Sequence, residues 1–116
     1  MKKLNIAIVL VLACFLVLLS GCKTEPVDVD LDAFAQYLTG EGISMAGTDW
    51  CGHCKDQKEL FGSSFQYIDY HNCDEEPGWC SERGVPGYPT WVLSDGSIYP
   101  GVKSIDDLKE LSGYDG

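Results

Sequence analysis

Two cysteines separated by two residues, in the segment TDWCGHCKDQ (residues 48–57), constrain this chain more than any other feature. The apolar stretch GISMAGTD before them predicts a buried strand, and the pattern from Cys51 to Phe61 predicts a helix. The pair therefore lies where a strand ends and a helix begins. Cysteines at this spacing can bind a metal, form a small structural disulfide or act as a reactive dithiol.

The first 22 residues indicate where the chain works. Lys2 and Lys3 precede an apolar run from Leu4 to Leu19, and small residues then lead to Cys22. This order is typical of a secretory signal. The ending LSGC resembles the lipobox of lipoprotein signal peptides, which implies that Cys22 is acylated and becomes the first residue of the mature protein. We expect a lipid anchor at the extracytoplasmic face of the cell membrane.

The chain divides into three predicted parts: a lipoprotein signal peptide (residues 1–21), a tether (residues 22–30) and one small domain (residues 31–116). The signal removes two lysines, so the remainder is more acidic than the formal net charge of −10 for the whole chain. An acidic surface repels the phosphates of nucleic acids, and no basic patch opposes it. We therefore expect no nucleic-acid partner.

Six cysteines reduce to four in the predicted domain. Cys14 leaves with the signal and Cys22 takes the lipid, which leaves the other four: Cys51, Cys54, Cys73 and Cys80. An even number outside the cytoplasm favours disulfides, but four cysteines allow three pairings and the sequence alone does not choose among them. We favour a structural Cys73–Cys80 bridge over a second redox pair that relays electrons, because closing a loop of about eight residues stabilises a small core by about 2.5 kcal/mol.

The setting of the Cys51–Cys54 pair favours a reactive dithiol over the two other interpretations. A four-cysteine zinc site usually repeats the short spacing, whereas Cys73 and Cys80 have six residues between them. A bridge across two residues closes too small a loop to remove much entropy from the unfolded chain. We therefore predict no metal at this pair.

A helix start explains how such a dithiol would work. Unpaired N–H groups and the helix dipole stabilise an anion there, which favours the thiolate at Cys51 and makes it the nucleophile. Cys54, one turn further on, is the resolving thiol. His53 lies between them, and an imidazole that stabilises the Cys51 thiolate would favour the reduced form and give an oxidising couple.

The remaining pattern predicts the element order α, β, α, β, α, β, β, α. Helices are expected in DLDAFAQYLTG, from Cys51 to Phe61, in EEPGWCSERG and in SIDDLKELSG. FQYIDYH is expected to be a strand, and PTWVLSDGSIYPG a hairpin with a two-residue type I′ turn at Asp95-Gly96. Such an order predicts an α/β domain in which helices flank a mixed sheet.

Several motifs resemble those of the thioredoxin superfamily. WCGHCK is similar to its active site, in the CGHC version seen in protein disulfide isomerases, and GVKSIDDLKELSG is similar to its last strand and helix. VPGYPTW resembles its cis-proline loop, which implies a cis bond at Pro89 and substrate contacts from Tyr88, with Trp50 flanking the active site. The resemblance spans about Ile43 to Gly113 and implies a thioredoxin-like fold with a four-stranded mixed sheet flanked by helices.

The combination of WCGHCKDQKELF, a later cysteine pair, GYPTW and GVKSIDDL resembles one subgroup of that superfamily. Its members are thioredoxin-like domains fused to, or partnered with, homologues of vitamin K epoxide reductase. The likeness implies a quinone-linked membrane partner that reoxidises the dithiol, and no bound cofactor. One position departs from the thioredoxins, which place a buried aspartate six residues before the first cysteine, where this chain has Met45. That difference argues against a dedicated reductase.

These observations lead to one functional prediction with stated alternatives. We predict a membrane-anchored thiol–disulfide oxidoreductase that transfers its Cys51–Cys54 disulfide to the thiols of secreted proteins. Within the same class, it could act as an isomerase or as a reductase, for example in cytochrome maturation. The alternatives from other classes are a non-catalytic thioredoxin-fold lipoprotein and a metal-binding protein.

Overall fold

The computed structural model describes residues 30–116, so the predicted signal peptide, Cys22 and all but the last residue of the predicted tether lie outside it. The elements in this part of the chain are α1 (Leu31–Gly40), β1 (Ser44–Gly47), α2 (Gly52–Phe61), a 3₁₀ helix (Gly62–Tyr67), β2 (Asp69–Asn72), α3 (Pro77–Glu82), β3 (Thr90–Val92), β4 (Ile98–Pro100) and α4 (Ile105–Ser112). Among the helices of residues 30–116, none is long and apolar enough to cross a membrane.

The four strands form one mixed sheet in the order β2-β1-β3-β4. β1 pairs in parallel with β2, and antiparallel pairs join β1 to β3 and β3 to β4. All four residues of the central strand β1 are buried, as its apolar sequence predicts. The helices flank this sheet, which confirms the predicted α/β class and the four-stranded mixed sheet.

Side-chain caps fix where the helices begin. Asp30 accepts a hydrogen bond from the N–H of Ala33 (3.1 Å) at the start of α1, and Ser104 accepts one from the N–H of Asp107 (3.0 Å) at the start of α4. Both caps satisfy amide groups that have no partner within the helix. The apolar faces of these helices then meet the sheet in a core that includes Phe34, Leu38, Met45, Phe61, Trp91 and Leu108.

The second strand begins later than the sequence predicts. Alternation in FQYIDYH suggested a strand from residue 65, but residues 62–67 form the 3₁₀ helix and β2 starts at Asp69. The N–H of Ile68 donates to the carbonyl of Phe65 (2.9 Å), which closes the last turn of that helix. Phe65 packs against the core from this turn, so its apolar character reflects tertiary contact and not strand periodicity.

The hairpin exists as predicted, but its turn is different. The N–H of Gly96 donates to the carbonyl of Leu93 (3.0 Å), and the N–H of Leu93 donates to the carbonyl of Ser97 (2.9 Å). Ser94 and Asp95 therefore occupy the centre of the turn, and Gly96 follows with φ of 87°. This is a three-residue loop closed by a left-handed glycine, and not a two-residue turn at Asp95-Gly96.

Candidate active site

The sheet register brings three separate segments to one edge. Gly47 is the last residue of β1 and pairs with Asn72, the last residue of the parallel strand β2. Thr90, the first residue of the antiparallel strand β3, pairs with Ala46 near the same end. The segments that continue from these strands therefore meet there: the CxxC segment after β1, the loop containing Cys73 after β2, and the segment ending at Pro89 before β3.

Cys51 occupies the N-cap position of α2. Its backbone is extended (φ −76°, ψ 117°), and its sulfur accepts a hydrogen bond from the N–H of Cys54 at 3.2 Å. The same sulfur lies 3.6 Å from the backbone carbonyl oxygen of Tyr88, and the Tyr88–Pro89 peptide bond is cis. With 7% of its surface exposed, Cys51 is the accessible member of the pair, because Cys54 is fully buried.

Burial sets the chemistry of Cys54. It raises the pKa of the Cys54 thiol to about 11, and the hydrogen bond with Cys51 acts in the same direction. A backbone hydrogen bond from Thr48 and the positive charge of Lys58 oppose these effects but do not cancel them. Cys54 is therefore a neutral thiol at neutral pH, and its thiolate forms only at a considerable cost in free energy.

Trp50 and Tyr88 form the rim of the site. Trp50 is 68% exposed, and its indole N–H donates to a carboxylate oxygen of Asp74 at 2.8 Å. Its ring also meets the ring of Tyr88 edge to face, with 6.1 Å between the centroids. These contacts join the CxxC segment to the loop after β2 and to the cis-proline loop, so the predicted contact residues lie together beside Cys51.

His53 lies on the outer face of α2. Its side chain is 80% exposed, and its Nδ1 lies 3.8 Å from a carboxylate oxygen of Asp56, one turn further along the helix. The hydrogen bonds of the described residues include none between His53 and Cys51. A role for His53 in stabilising the Cys51 thiolate stays a prediction.

The second cysteine pair is a disulfide. Cys73 and Cys80 are bonded, with 5.7 Å between their Cα atoms, while Cys51 and Cys54 are both thiols. Each half of the bridge is 5% exposed and packs with Ala46 in a small cluster on the sheet. The bridge ties the loop after β2 to α3. Within residues 30–116, no group of three or more His, Cys, Asp or Glu residues is arranged to hold a metal ion.

Gln57 fixes α2 in place and was not identified from the sequence. It is fully buried, and its amide oxygen accepts from the indole N–H of Trp91 (3.0 Å) and from the N–H of Lys103 (2.7 Å). Its amide nitrogen donates to the carbonyl of Lys103 (2.9 Å). The one signal in the sequence is its helical spacing of three residues from Cys54, which places both on one face of α2.

Gly47 and Tyr70 were also missed. A Cβ on Gly47 would lie 2.9 Å from the Cys54 sulfur and 3.1 Å from a ring carbon of Tyr70, so only glycine leaves room for both. Met45, which stands at the position of the buried aspartate of thioredoxins, is fully buried in the core. The contacts of the Gly47 position with Cys54 and Tyr70 depend on the pairing of β1 with β2, which no local sequence pattern predicts.

Comparison with known proteins agrees with this geometry. No protein-family model matches the chain. It is 30% identical over 92 residues to the thiol-disulfide oxidoreductase LTO1 of Arabidopsis thaliana, which covers 71% of this chain and 24% of that protein. It is 38% identical over 81 residues to protein disulfide isomerase-like 2-2 of Oryza sativa subsp. japonica (58% of this chain, 22% of that protein). The fold is thioredoxin-like.

A third relative extends this agreement to the fungi. The chain is 30% identical over 86 residues to the protein disulfide-isomerase of Arthroderma benhamiae, covering 64% of this chain and 16% of that protein. This thioredoxin-like chain thus spans about a quarter or less of the length of these relatives. The relatives are named as a thiol-disulfide oxidoreductase and as protein disulfide isomerases, which supports a likeness to the thioredoxin-like superfamily.

Proposed function

We propose that this protein is a thiol–disulfide oxidoreductase that exchanges disulfides with protein thiols through Cys51 and Cys54. One observation carries the proposal: the accessible Cys51 sulfur sits at the start of α2, with the buried Cys54 as its partner and the Tyr88 carbonyl 3.6 Å away. Amide groups at a helix start stabilise a thiolate, and a second thiol within reach can resolve a mixed disulfide.

The difference in burial assigns the two roles. A client thiolate attacks the Cys51–Cys54 disulfide at Cys51, the more accessible sulfur, and the electron pair of the broken bond moves to Cys54. A mixed disulfide then joins the client to Cys51. The second client thiolate attacks the client sulfur of that bond, which releases an oxidised client and leaves Cys51 and Cys54 as the dithiol.

We further propose that the domain works as an oxidant on secreted proteins at the extracytoplasmic face of a membrane. The leader with its lipobox-like LSGC ending supports the location and the anchor at Cys22. A fully buried methionine, Met45, at the place of the thioredoxin aspartate supports the direction of transfer. A quinone-linked membrane partner of the vitamin K epoxide reductase type would then reoxidise the Cys51–Cys54 pair, and the lipid anchor would keep the domain close to that partner.

Isomerase activity is the second candidate, favoured by the names of two of the relatives and by the CGHC sequence that this chain shows. The reduction potential of the Cys51–Cys54 couple bears on all three activities. A value between about −120 and −180 mV supports an oxidant or an isomerase, whereas a value near −270 mV, like that of thioredoxin, supports a reductase. Rearrangement of a scrambled substrate without net oxidation would identify the isomerase.

Variants of the full chain test the exchange reaction itself. Cys51→Ala should abolish oxidation of a reduced two-cysteine peptide, because the attacked sulfur is gone. Cys54→Ala should instead accumulate a mixed disulfide at Cys51, and in the native host the trapped proteins should be secreted ones. Ser63→Ala, on the exposed 3₁₀ helix, is the matched control and should behave as wild type. Full activity in Cys51→Ala would contradict the proposal.

A further inference from the structure

The hydroxyl of Tyr70 is a buried polar group without a partner. Among the described residues, two buried side-chain polar atoms make no hydrogen bond: Thr48 Oγ1 and Tyr70 Oη. Leaving a hydroxyl buried and unpaired costs free energy, and such groups are uncommon in folded proteins. Packing alone does not explain why a tyrosine, with its hydroxyl group, stands at position 70.

This hydroxyl borders the same space as the Cys54 sulfur. A Cβ on Gly47 would lie 2.9 Å from Cys54 Sγ and 3.4 Å from Tyr70 Oη, so both atoms surround the position that glycine leaves empty. Strand β2, which carries Tyr70, pairs with β1, which carries Gly47. The sheet thus places the phenol and the Cys54 sulfur, which gains or loses charge during exchange, on the border of the same empty position.

Lys58 adds a positive charge to this arrangement. Its Nζ lies 4.1 Å from the centroid of the Tyr70 ring and 4.0 Å from a carboxylate oxygen of Asp49. A cation over the ring is attracted to its π electrons, so the ammonium group packs against the Tyr70 ring. The same charge lowers the pKa of Cys54 against the larger effect of burial.

The phenol keeps its proton at neutral pH. Burial raises the pKa of Tyr70 to about 12, and negative charges on the groups around it act in the same direction: Asp49, Cys54, Cys51 and Asp74. A neutral phenol is a hydrogen-bond donor and not a base. The acceptor that needs such a donor is the Cys54 thiolate, because burial makes its negative charge costly.

We propose that Tyr70 donates a hydrogen bond to Cys54 as negative charge develops on that sulfur. The inference rests on the proposed exchange function. When a client thiolate bonds to Cys51, the Cys51–Cys54 bond breaks and its electron pair passes to Cys54. Tyr70 stabilises the departing thiolate without giving up its proton, and Cys54 then takes a proton from water. In the reverse direction, Tyr70 stabilises the same thiolate as it attacks.

The test is the rate at which reduced glutathione opens the Cys51–Cys54 disulfide of the full-length protein near neutral pH. A hydrogen bond to a charged sulfur lowers the barrier in both directions, so Tyr70→Phe should slow opening and closing alike by about tenfold. The equilibrium with glutathione should stay within about twofold of wild type, because Cys54 is a neutral thiol in the product. Tyr99→Phe, an exposed tyrosine on β4, is the matched control.

Three outcomes count against the inference. Opening of Tyr70→Phe within about twofold of wild type would overturn it, because a donor to charged sulfur contributes more than that. A lower thermal midpoint with a shifted equilibrium would overturn it in favour of a structural role. A wild-type disulfide that glutathione opens at Cys54, or not at all, would overturn the proposed function together with the inference, whereas normal opening at Cys51 leaves the proposed function standing.

Discussion

Gly47 shows how one residue can decide the geometry of the Cys54 thiol. It is the last residue of β1. A Cβ at this position would lie closer to the Cys54 sulfur and to the Tyr70 ring than ordinary van der Waals contact allows. The requirement is one of space, because Gly47 is not among the glycines with positive φ. The close packing of the Cys54 thiol and the Tyr70 phenol against the end of β1 therefore requires a residue without a Cβ at position 47.

Gly47→Ala should lower the free energy of unfolding by about 1–3 kcal/mol, because the added methyl group overpacks a region that cannot easily move. Urea unfolding of the reduced protein measures the effect. Gly40→Ala, at the end of α1 where a Cβ meets nothing within 4 Å, is the matched control and should leave stability unchanged or raise it by up to about 1 kcal/mol. Equal stability of the two variants would contradict the contact with Cys54.

The titration of Cys54 and Tyr70 gives a pH dependence. The pKa of Cys54 is raised from 9.0 to about 11, and that of Tyr70 from 10.0 to about 12. Because the folded state holds these protons more tightly than the unfolded chain, their stabilisation is complete below about pH 9 and is lost as the pH rises toward 12. Urea unfolding of the reduced protein at about pH 8 and pH 10.5 should show this loss.

The disulfide form is the control for that measurement. Cys54 cannot titrate when it is bonded to Cys51, so the oxidised protein should lose less stability over the same pH range than the reduced protein. An equal loss in both forms would assign the effect to Tyr70 and other groups and would contradict the raised pKa of Cys54.

Helix α2 carries Cys54 and has Cys51 as its N-cap, and a buried amide side chain contributes to its position alongside apolar packing. Gln57 connects the helix to Trp91 in β3 and to the backbone of Lys103 before α4. Three hydrogen bonds from one side chain thus align the helix start with the strand beside Pro89. An element held in this way keeps the Cys51 sulfur at a fixed distance from the Tyr88 carbonyl.

Gln57→Leu should destabilise the protein by about 2–4 kcal/mol, since it leaves the buried Trp91 N–H and the partly buried backbone groups of Lys103 without partners. Chemical denaturation measures the loss, and Glu59→Ala on the exposed side of the same helix is the control, expected within about 0.5 kcal/mol of wild type. If Gln57→Leu were as stable as wild type, the three hydrogen bonds would contribute little to the position of α2.

Local signals predicted the elements, but not the contacts between them. The helices expected in DLDAFAQYLTG and SIDDLKELSG are present, because the capping contacts at Asp30 and Ser104 involve only neighbouring residues. The strand at FQYIDYH was placed too early, since the burial of Phe65 comes from tertiary packing that imitates alternation. Gln57, Gly47 and Tyr70 act across the sheet, so their importance depends on a strand pairing that no local pattern contains.

On the scale of the whole molecule, the Cys73–Cys80 bridge supports a small domain with short strands. The bridge connects α3 to the acidic loop after β2. In that loop, Asp74 accepts a hydrogen bond from the indole N–H of Trp50. The bridge therefore stabilises the fold and, through Asp74, supports one side of the rim around Cys51. The sequence favoured a bridge between Cys73 and Cys80 but allowed three pairings, and the fold brings these two sulfurs into bonding distance.

Replacing both Cys73 and Cys80 by alanine should lower the free energy of unfolding by about 2.5 kcal/mol, the loop-closure entropy of about eight residues. Disulfide exchange at Cys51 should continue at temperatures well below the melting temperature of the variant, which a structural role requires. A stable double variant that no longer exchanges disulfides would instead show that the second pair relays electrons.

The edges of the sheet have a consequence for a protein proposed to exchange disulfides with secreted proteins. β4 is three residues long and ends at Pro100, which has no N–H to offer a neighbouring strand, and β2 has four residues, of which Asp69 is exposed. Short, charged or proline-ended edges pair poorly with other backbones. A client that exchanges its disulfide at Cys51 would therefore be released readily, because the sheet edges offer its backbone few hydrogen-bonding groups.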